Sequence, residues 1–393
     1  MRIRSASVLI AMSLLLAGCK GDQAAEQSVL QSAPAAGSSR LSELLGDQDS
    51  SGYAMAIEPR RFEFPADHGP HPEFRNEWWY LTGNLDAADG ERFGYELTFF
   101  RFLLAPRGKE ISGSSPGESV WRTGQVYIGH FALTDVKARK FHVAQRYSRD
   151  SLDLAGATAE PLRVWLEDWS IDGSGNGSSL QLAAADKDVK LSLTLEPQRT
   201  VQLQGDEGLS RKSADPRNAS YYYSIPRLST RGTVQVGERT YRVSGLSWLD
   251  REWGSSALAS TQRGWDWFAL QLSDGSDLMF YRLRGRDGQV DRHSAGTWMP
   301  AGQAPVKLQA DDVELEAMRF WDSPMGGRYP VEWHMKIDSL GLELSITPVL
   351  DSQELEATVR YWEGAVDVSG SLAGRVTNGR GYVELTGYAD SDD

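Results

Sequence analysis

The chain has 393 residues, of which 40% are hydrophobic and 24% are charged, enough for one large domain or two with a sizeable core. With 54 acidic and 41 basic residues, its formal net charge is −13. An acidic chain without a dense run of Lys or Arg is poorly suited to bind nucleic acid, so composition argues against that class of partner.

The N-terminal residues have the pattern of a targeting signal. Arg2 and Arg4 precede an apolar stretch, residues 8–16, which is too short to span a bilayer as a mature helix. The stretch leads into LAGC, residues 16–19, which is similar to a bacterial lipobox, and Cys19 is the only cysteine of the chain. We therefore predict that Cys19 is lipidated, and no disulfide can form within the chain.

This signal divides the start of the chain into two segments. We predict that residues 1–18 are a signal peptide and that residues 19–57, rich in Ala, Ser, Gly, Gln and Asp, are a flexible tether. Lys20 stands where an Asp would favour retention in the inner membrane. We therefore expect a lipid-anchored protein of the bacterial cell envelope, at the outer membrane and facing the periplasm. An ordinary signal peptide with a chance cysteine is the alternative.

From Phe62 onward the sequence has the pattern of β-strands. Apolar and polar residues alternate over 189–195, and Leu180 and Leu182 precede them across a short turn, which predicts a hairpin. Further strands are predicted at residues 95–103, 125–133, 241–248, 265–272, 278–283, 313–320, 331–337, 342–349 and 382–388. Turns are predicted at Asp89-Gly90, Asp172-Gly173, Asp274-Gly275, Asp287-Gly288 and Asn378-Gly379. Long helical periodicity is absent, so the sequence predicts an all-β protein of sandwich or barrel architecture.

The two halves of the β region contain a weak internal repeat. WWYLTGNL, residues 78–85, leads through an Asp-Gly turn to an aromatic–aromatic–Arg ending at Arg101. WDWFALQL, residues 265–272, leads through a second Asp-Gly turn to the same ending at Arg282. Two copies of one unit predict two similar barrels, which we place at residues 58–254 and 255–393. Two unrelated hairpins rich in aromatic residues are the alternative.

Aromatic residues are the first candidates for a binding site. Many of the 13 Trp must be core, because an indole buries a large surface. Trp and Tyr also line ligand clefts together with Arg and other polar groups. For any single Trp, a core position is the simpler interpretation. For the group we predict a ligand-binding set: Glu77, Trp78, Trp79, Tyr80, His130, Arg227, Trp253, Trp265, Asp266, Trp267 and Tyr281.

The segment SWLDREWG, residues 247–254, supplies two candidate catalytic carboxyls, Asp250 and Glu252. Burial beside tryptophans would raise a carboxyl pKa and leave a group that can donate a proton, whereas the neighbouring Arg251 acts in the opposite direction. A surface turn with a local ion pair is the alternative interpretation.

A second candidate catalytic group is Tyr223, in YYYSIPRL at residues 221–228. Because side chains alternate along a strand, Tyr223 would face one way and Tyr222 the other. Either hydroxyl could bind a ligand. An edge strand before a proline is the alternative.

Other common chemistries find little support in the sequence. The G-x-S-x-G match at residues 113–117 runs from loop into strand, not from strand into helix, so we do not expect a serine hydrolase. His68 and His71 lie in a Pro/Gly loop without cysteines, and we interpret them as structural. Neither a zinc motif nor a nucleotide-binding glycine loop is present. We therefore expect no metal and no organic cofactor.

Several blocks together resemble one known family, the AttH/carotenoid 1,2-hydratase family, whose bacterial members are often labelled predicted secreted hydrolases. The resemblance covers roughly residues 58–390 and lies in HPEFRNEWWYLTGNL, GYELTFFRF, GHFALTD, YYYSIPRLSTRG, SWLDREWG, GWDWFALQL, DSPMGGRYPVEW and YWEGAV. It implies two lipocalin-like β-barrel domains in tandem.

The resemblance leaves two principal functions open. In a hydratase, Asp250 or Glu252 would protonate an alkene of an isoprenoid-like molecule, and Tyr223 would orient water. Trp253, Trp265 and Trp267 would stabilise the carbocation through their ring faces. The alternative is a non-catalytic carrier or chaperone for a lipid or hydrophobic metabolite, working with an ABC-type export system. A structural envelope protein is a third interpretation. Convergence of Glu77, Asp250, Glu252 and Tyr223 on one cavity would favour the enzyme.

Overall fold

The computed structural model describes most of the residues that follow the predicted tether. The described residues are 50–106, 124–174, 179–256 and 258–389. The predicted signal peptide, Cys19, most of the tether and the 113–117 stretch lie outside them. Across the described ranges, no helix has both the length and the apolar character needed to cross a membrane.

Antiparallel β-strands make up almost all of the regular secondary structure in the described residues, as the alternating patterns predict. Three single-turn 3-10 helices lie at Ala66–His68, Ala310–Asp312 and Asp338–Leu340. The strands of the first sheet are β1 (Asn76–Ala87), β2 (Arg92–Leu103), β3 (Gln125–Asp135), β4 (Lys140–Arg149), β5 (Ala155–Ala159), β6 (Leu162–Leu166), β7 (Trp169–Gly173), β8 (Leu180–Asp186), β9 (Val189–Pro197), β10 (Gln202–Leu203), β11 (Leu209–Arg211), β12 (Ala219–Val236) and β13 (Arg239–Gly254). Those of the second are β14 (Gln262–Leu272), β15 (Asp277–Gly285), β16 (Ala295–Met299), β17 (Val306–Gln309), β18 (Glu314–Asp322), β19 (Arg328–Ile337), β20 (Leu342–Pro348), β21 (Glu354–Leu355), β22 (Tyr361–Leu372) and β23 (Arg375–Leu385).

Each half of the described region forms its own barrel-like sheet. The strand order is β4-β3-β2-β1-β13-β12-β9-β8-β7-β6-β5 in the first sheet and β17-β16-β15-β14-β23-β22-β20-β19-β18 in the second. The short strands β10 and β11 pair with β12, and β21 pairs with β22. The first sheet is nearly closed and the second is a half-barrel, so the predicted all-β fold with two barrels in tandem is confirmed.

The two sheets share the same arrangement around their first strands. Strand β1 lies between β2 and β13, and β14 lies between β15 and β23. The register also matches, because Glu77 faces Arg101 across one pair of strands and Asp266 faces Arg282 across the other. The change of sheet falls between Gly254 and Gln262.

Two predicted turns are wrong. Asp172-Gly173 forms the end of β7, where Asp172 pairs with Arg163 and Gln181. Asn378-Gly379 lies inside β23, where Gly379 pairs with Leu272 on one side and Val368 on the other. A Cβ on this glycine would lie only 2.3 Å from the carbonyl oxygen of Gln271. The glycine therefore permits close approach of two strands, and the hairpin turns at Ala373-Gly374, where both φ angles are positive.

Strands β1, β12 and β13 form a wall with two buried faces. Alternate side chains of β1 separate, so that Trp79 joins the core of the first barrel and Tyr80 joins a cluster between the barrels. Tyr223 and Tyr222 of β12 divide in the same way. Consecutive large aromatic residues are therefore stable here, because neither face of the wall is in water.

Candidate functional site

A cleft lies between the two barrels. Its main cavity has a volume of about 70 Å³ and is lined by Trp78, Tyr80, Phe100, Lys212, Tyr222, Asp250, Glu252, Trp265, Trp267, Tyr281, Leu283, Tyr361 and Glu384. An adjoining recess of about 40 Å³ is lined by Phe100, Phe102, Ile128, His130, Gln145, Trp265, Thr358, Val359, Tyr361 and Glu384. Because four residues line both spaces, we treat them as one site and call it the inter-barrel cleft.

Equivalent positions of the two barrels face each other across this cleft. In chain order, the first strand of each sheet carries a Trp. This Trp is paired with an aromatic residue on the second strand and with a Glu on the last strand. The equivalent residues are Trp78 and Trp267, Phe100 and Tyr281, and Glu252 and Glu384. The internal repeat thus accounts for an aromatic cleft with a carboxyl on each side.

Asp250 is buried in the cleft wall and accepts three hydrogen bonds. The Tyr222 hydroxyl donates to Oδ2, and Ser224 Oγ and Trp248 Nε1 donate to Oδ1 over 2.5 and 2.7 Å. Burial raises the pKa of Asp250 to about 7, although these donors act to lower it, and nearby Glu252 raises it further. Asp250 can therefore accept or release a proton near neutral pH.

Glu252 is paired with a buried cation. Its carboxylate accepts a hydrogen bond from the Ser220 hydroxyl and lies 3.1 Å from Lys212 Nζ. Burial acts to lower the pKa of Lys212, but the Glu252 carboxylate leaves it above its usual value. The ammonium also lies 4.2 Å from the ring centre of Tyr281. This corner of the cleft therefore holds a fixed ion pair.

Glu384 is the carboxyl that sequence reasoning missed. Burial raises its pKa to about 8; a hydrogen bond with Trp265 acts to lower it, and the charges of Asp250 and Glu252 raise it further. Glu384 is therefore mostly protonated at neutral pH. The internal repeat could have revealed Glu384. Glu252 pairs with Trp78 in the first barrel, and Glu384 pairs with Trp267 at the equivalent position of the second.

Further polar groups are buried beside the cleft. The Tyr80 hydroxyl donates to Glu363, and burial raises the pKa of that carboxyl well above its usual value. His130 lies in the recess with its Nδ1 2.7 Å from the Tyr361 hydroxyl, and burial lowers its pKa to about 3. His130 is therefore neutral, as a polar lining residue would be.

Glu77 lies on the other face of the wall. Burial acts to raise its pKa, but Arg101 and Arg251 hold it well below the usual value. Both guanidinium groups donate to the carboxylate, and all three side chains are fully buried. His71 also contacts Glu77, at 3.3 Å. Glu77 is thus the anion of a structural ion-pair network and does not line the cleft.

Three other predicted residues also face the first barrel. Trp79 and Tyr223 line a separate cavity of about 1000 Å³ inside that barrel. Trp253 is buried and stacks on the His71 ring, with ring centres 3.7 Å apart. These side chains are separated from the cleft by the backbone of β1, β12 and β13.

Two predicted polar residues form ion pairs outside the cleft. Arg227 of the first barrel lies 2.6 Å from Asp277 of the second and so joins the barrels. Asp266 is buried, with Arg282 and Arg284 at 2.8 and 3.1 Å. It occupies in the second barrel the position that Glu77 holds in the first.

The predicted site residues therefore do not converge on one cavity. Those in the inter-barrel cleft are Trp78, Tyr80, His130, Asp250, Glu252, Trp265, Trp267 and Tyr281. Of the four residues whose convergence we used as a criterion, only Asp250 and Glu252 share a space. Within the described ranges, no group of three or more His, Cys, Asp or Glu side chains is placed to hold a metal ion.

Comparison with known proteins gives consistent matches. The AttH-like family model matches residues 55–388. A kievitone hydratase of Fusarium solani subsp. phaseoli is 22% identical over 229 residues, 53% of this chain; the chain spans 60% of that relative's length. A crystal structure of an AttH protein from Nitrosomonas europaea is 34% identical, with a TM-score of 0.75 over 85% of this chain and 99% of that one. Kievitone hydratase from Nectria haematococca, at 16% identity, has a TM-score of 0.64 over 86% and 96% of the two chains and shares the fold.

Proposed function

Because this chain belongs to the AttH-like family, we propose that it is a cofactor-free hydratase acting in the inter-barrel cleft. It would add water to an alkene of an isoprenoid- or lipid-like molecule, or remove water in the reverse direction. The observation that carries this proposal is a pair of carboxyls on an aromatic wall, the buried Asp250 and the partly buried Glu384, with pKa values of about 7 and 8. The hydratase named among the relatives supports the reaction class.

The two carboxyls suit complementary roles. Glu384 is mostly protonated at neutral pH and can give its proton to one alkene carbon. About half of Asp250 is ionised at pH 7, so it can take a proton from the water that attacks the other carbon. The product gains one hydrogen and one hydroxyl, and the proton on Asp250 returns to Glu384 through solvent.

The aromatic wall suits the intermediate of such a reaction. Protonation of an alkene leaves a carbocation, which aromatic ring faces stabilise by about 0.5–2 kcal/mol each. Trp78, Trp265 and Trp267 line the cleft beside Glu384. Lys212 is already paired with Glu252, so its positive charge is balanced.

Isotope incorporation tests this function. The full-length protein would be incubated with a panel of isoprenoid alkenes in heavy-oxygen water, and the product analysed by mass spectrometry. We expect one labelled oxygen in the product, and loss of turnover in Asp250→Asn and Glu384→Gln. Asp266→Asn is the matched control, since Asp266 is buried next to Trp265 and Trp267 but faces away from the cleft. The proposal would be contradicted by an isoprenoid alkene that binds to the protein but is released without a heavy oxygen atom.

The predicted lipid anchor favours a second candidate function. On this proposal the protein is a non-catalytic carrier or chaperone that delivers a hydrophobic molecule to an ABC-type export system. Native mass spectrometry of protein extracted from its own envelope would show a co-purified lipid, with no change to the bound molecule on prolonged incubation.

We also propose that Cys19 is acylated and that the protein is anchored to the outer membrane, facing the periplasm. The support is the lipobox-like sequence and the long polar tether. Mass spectrometry of the mature N-terminus should find a diacylglyceryl cysteine. Cys19→Ser should release the protein from the membrane fraction, and an unchanged fractionation would contradict the anchor.

A further inference from the structure

We infer that the interior of the first barrel is a second binding site, for an uncharged apolar molecule that carries a hydrogen-bond acceptor such as a carbonyl oxygen. The cavity there has a volume of about 1000 Å³. That size is at the upper end of the roughly 300–1,000 Å³ typical of small-molecule pockets. The inference does not depend on catalysis in the inter-barrel cleft, because the wall of β1, β12 and β13 separates the two spaces.

Much of the wall of this barrel cavity is apolar. It is formed by side chains from five strands and the segment before them: Phe64, Trp79, Ile171, Leu180, Ile225 and Leu249. Two charged residues also line the cavity. Glu160 is exposed to solvent, and Arg199 is paired with Asp277 of the second barrel at 2.8 Å. A ligand would therefore meet no unpaired charge inside the barrel, which favours an uncharged molecule.

Ser174, Ser179, Gln198 and Thr200 also line the cavity, and one polar pair lies among the apolar side chains. His68 Nδ1 lies 2.6 Å from the Tyr223 hydroxyl. Burial lowers the pKa of His68 to about 4, so the imidazole is neutral and carries one proton. The Tyr223 hydroxyl also lies 3.4 Å from the carbonyl oxygen of Asp67, but its 2.6 Å contact with Nδ1 is in the range of an O–H donor and shorter than that of an N–H donor. We therefore assign the tyrosine proton to the bond with Nδ1, which places the imidazole proton on Nε2. No hydrogen-bond acceptor for Nε2 is present among the described residues, so the ring can donate to a ligand.

The donor is held in place before any ligand arrives. The carbonyl oxygen of His68 accepts a hydrogen bond from Trp79 Nε1 at 2.9 Å. Its ring lies 4.7 Å from that of Phe64, centre to centre. His68 also ends the 3-10 helix Ala66–His68. A fixed donor in an apolar cavity selects ligands by the position of one acceptor. This gives His68 a role that its Pro/Gly loop did not suggest.

Three small probes of similar length test this ligand chemistry on the mature full-length protein. 2-Undecanone is uncharged and has an acceptor, undecane has none, and decanoate is charged. Each would compete with the fluorescent probe N-phenyl-1-naphthylamine. We expect 2-undecanone to bind about fivefold more tightly than undecane, the size of one net hydrogen bond, and decanoate to bind more weakly than the ketone. Absence of saturable binding, or tightest binding of decanoate, would overturn the inference.

Variants identify the cavity and the donor. Ile171→Trp places an indole in the barrel cavity and should weaken binding of 2-undecanone more than tenfold without changing turnover. Leu283→Trp fills the inter-barrel cleft and should leave this binding unchanged. His68→Phe should weaken 2-undecanone about fivefold and leave undecane unaffected. Equal loss of both ligands in His68→Phe, or loss of binding only in Leu283→Trp, would overturn the site.

A second variant and a cross-linking experiment keep the proposal testable if Ile171→Trp does not fold. Val201→Trp fills the same cavity from the partly buried segment between β9 and β10. A photoreactive diazirine analogue of 2-undecanone, cross-linked to the unmodified protein and mapped by peptide mass spectrometry, should label residues of β7, β8 or β12 that line the barrel. Labels confined to residues of the inter-barrel cleft would refute the assignment.

Discussion

The two barrels bring a glutamate to the same register position of the cleft but give it different surroundings. Glu252 in the first barrel has Lys212 at 3.1 Å and a hydrogen bond from Ser220. Glu384 in the second barrel has a hydrogen bond with Trp265, and no ion-pair partner for it is present in the described part of the molecule. Its pKa rises to about 8.

This difference shows that the partner of a buried carboxyl, more than its position in the fold, decides its chemistry. A buried cation stabilises the ionised form of a neighbouring carboxyl. A carboxyl in an apolar wall that has only a neutral hydrogen-bond donor instead keeps its proton to higher pH. A repeated β unit can therefore supply a fixed anion and a proton donor to one cleft. The substitution of a few side chains around two equivalent strands is enough to separate the roles.

The largest effect should come from removing the two glutamates in turn. We expect Glu384→Gln to lower kcat/KM by about 10²–10⁴-fold, the usual contribution of a general acid. Glu252→Gln should cost about an order of magnitude less, because it leaves the acid in place. Steady-state kinetics on the substrate found by isotope incorporation would measure both.

The pH profile is the control for this comparison. In the unmodified protein, kcat/KM should rise through about 7 as Asp250 loses its proton and fall through about 8 as Glu384 loses its own. Residual activity of Glu384→Gln should lack the fall above pH 8. A larger loss in Glu252→Gln than in Glu384→Gln would reverse the assignment of roles.

The structural ion pairs of the two barrels offer a second comparison. Glu77→Gln leaves two fully buried guanidinium groups without their anion, and we expect a loss of about 3–5 kcal/mol in unfolding free energy. Asp266→Asn should cost less, about 1–3 kcal/mol, because Arg282 and Arg284 are 16% and 15% exposed and can be hydrated. Urea denaturation measures both, and equal losses would contradict this ranking.

The dependence of stability on pH should differ in sign between these carboxyls. The folded pKa of Glu384 lies above its unfolded value of 4.5, so the folded state retains a proton that the unfolded state has lost. Its contribution to stability therefore falls as pH rises from about 4.5 to about 8. We expect Glu384→Gln to reduce the loss of stability between pH 5 and 9 by about 2–4 kcal/mol.

Glu77 is the opposite case and the control for the pH measurement. Its folded pKa is depressed, so it stabilises the fold above pH 4.5 and this contribution is lost as pH falls below that value. Glu77→Gln should therefore flatten the acid side of the stability curve and leave the alkaline side unchanged. A change on the alkaline side would show that the two carboxyls are not independent.

The smallest effect should come from making the first barrel resemble the second. Lys212→Met removes the cation from Glu252 and leaves an apolar side chain of similar length. We expect stability at neutral pH to fall by about 1–3 kcal/mol, because the Glu252 carboxyl loses its buried cation. Urea denaturation at pH 7 would measure the loss, and Lys212→Arg, which keeps a charge, should not show it.

The fold was largely predictable because its patterns are local. Alternation marked the strands, and the Asp-Gly pairs at Gly90, Gly275 and Gly288 form turns with positive φ. The repeat predicted two barrels because residues 78–85 and 265–272 are both aromatic strands that lead through an Asp-Gly turn to an aromatic–aromatic–Arg ending. Asn378-Gly379 was misleading because the same dipeptide also permits two backbones to approach closely.

The site was only partly predictable because it depends on contacts between distant segments. Asp250 and Glu252 stood out beside tryptophans of their own strand. Glu384 has no tryptophan near it in sequence, and it joins an aromatic wall only because the second barrel packs against the first. Alternation also separated Tyr222 from Tyr223 without showing which would face the cleft. That choice depends on the register of β12, which shifts between Ile225 and Leu228.

Because both faces of β1 are buried, an insertion in this strand should have different effects depending on whether it adds an odd or an even number of residues. Trp78 and Tyr80 face the cleft, and Glu77 and Trp79 face the first barrel. One residue inserted before Glu77 and accommodated by a slip of the strand would exchange these sets, placing an unpaired carboxylate in the cleft and depriving two arginines of their anion. Two inserted residues would preserve the facing. Each side chain of β1 therefore keeps its face only when the number of inserted residues is even.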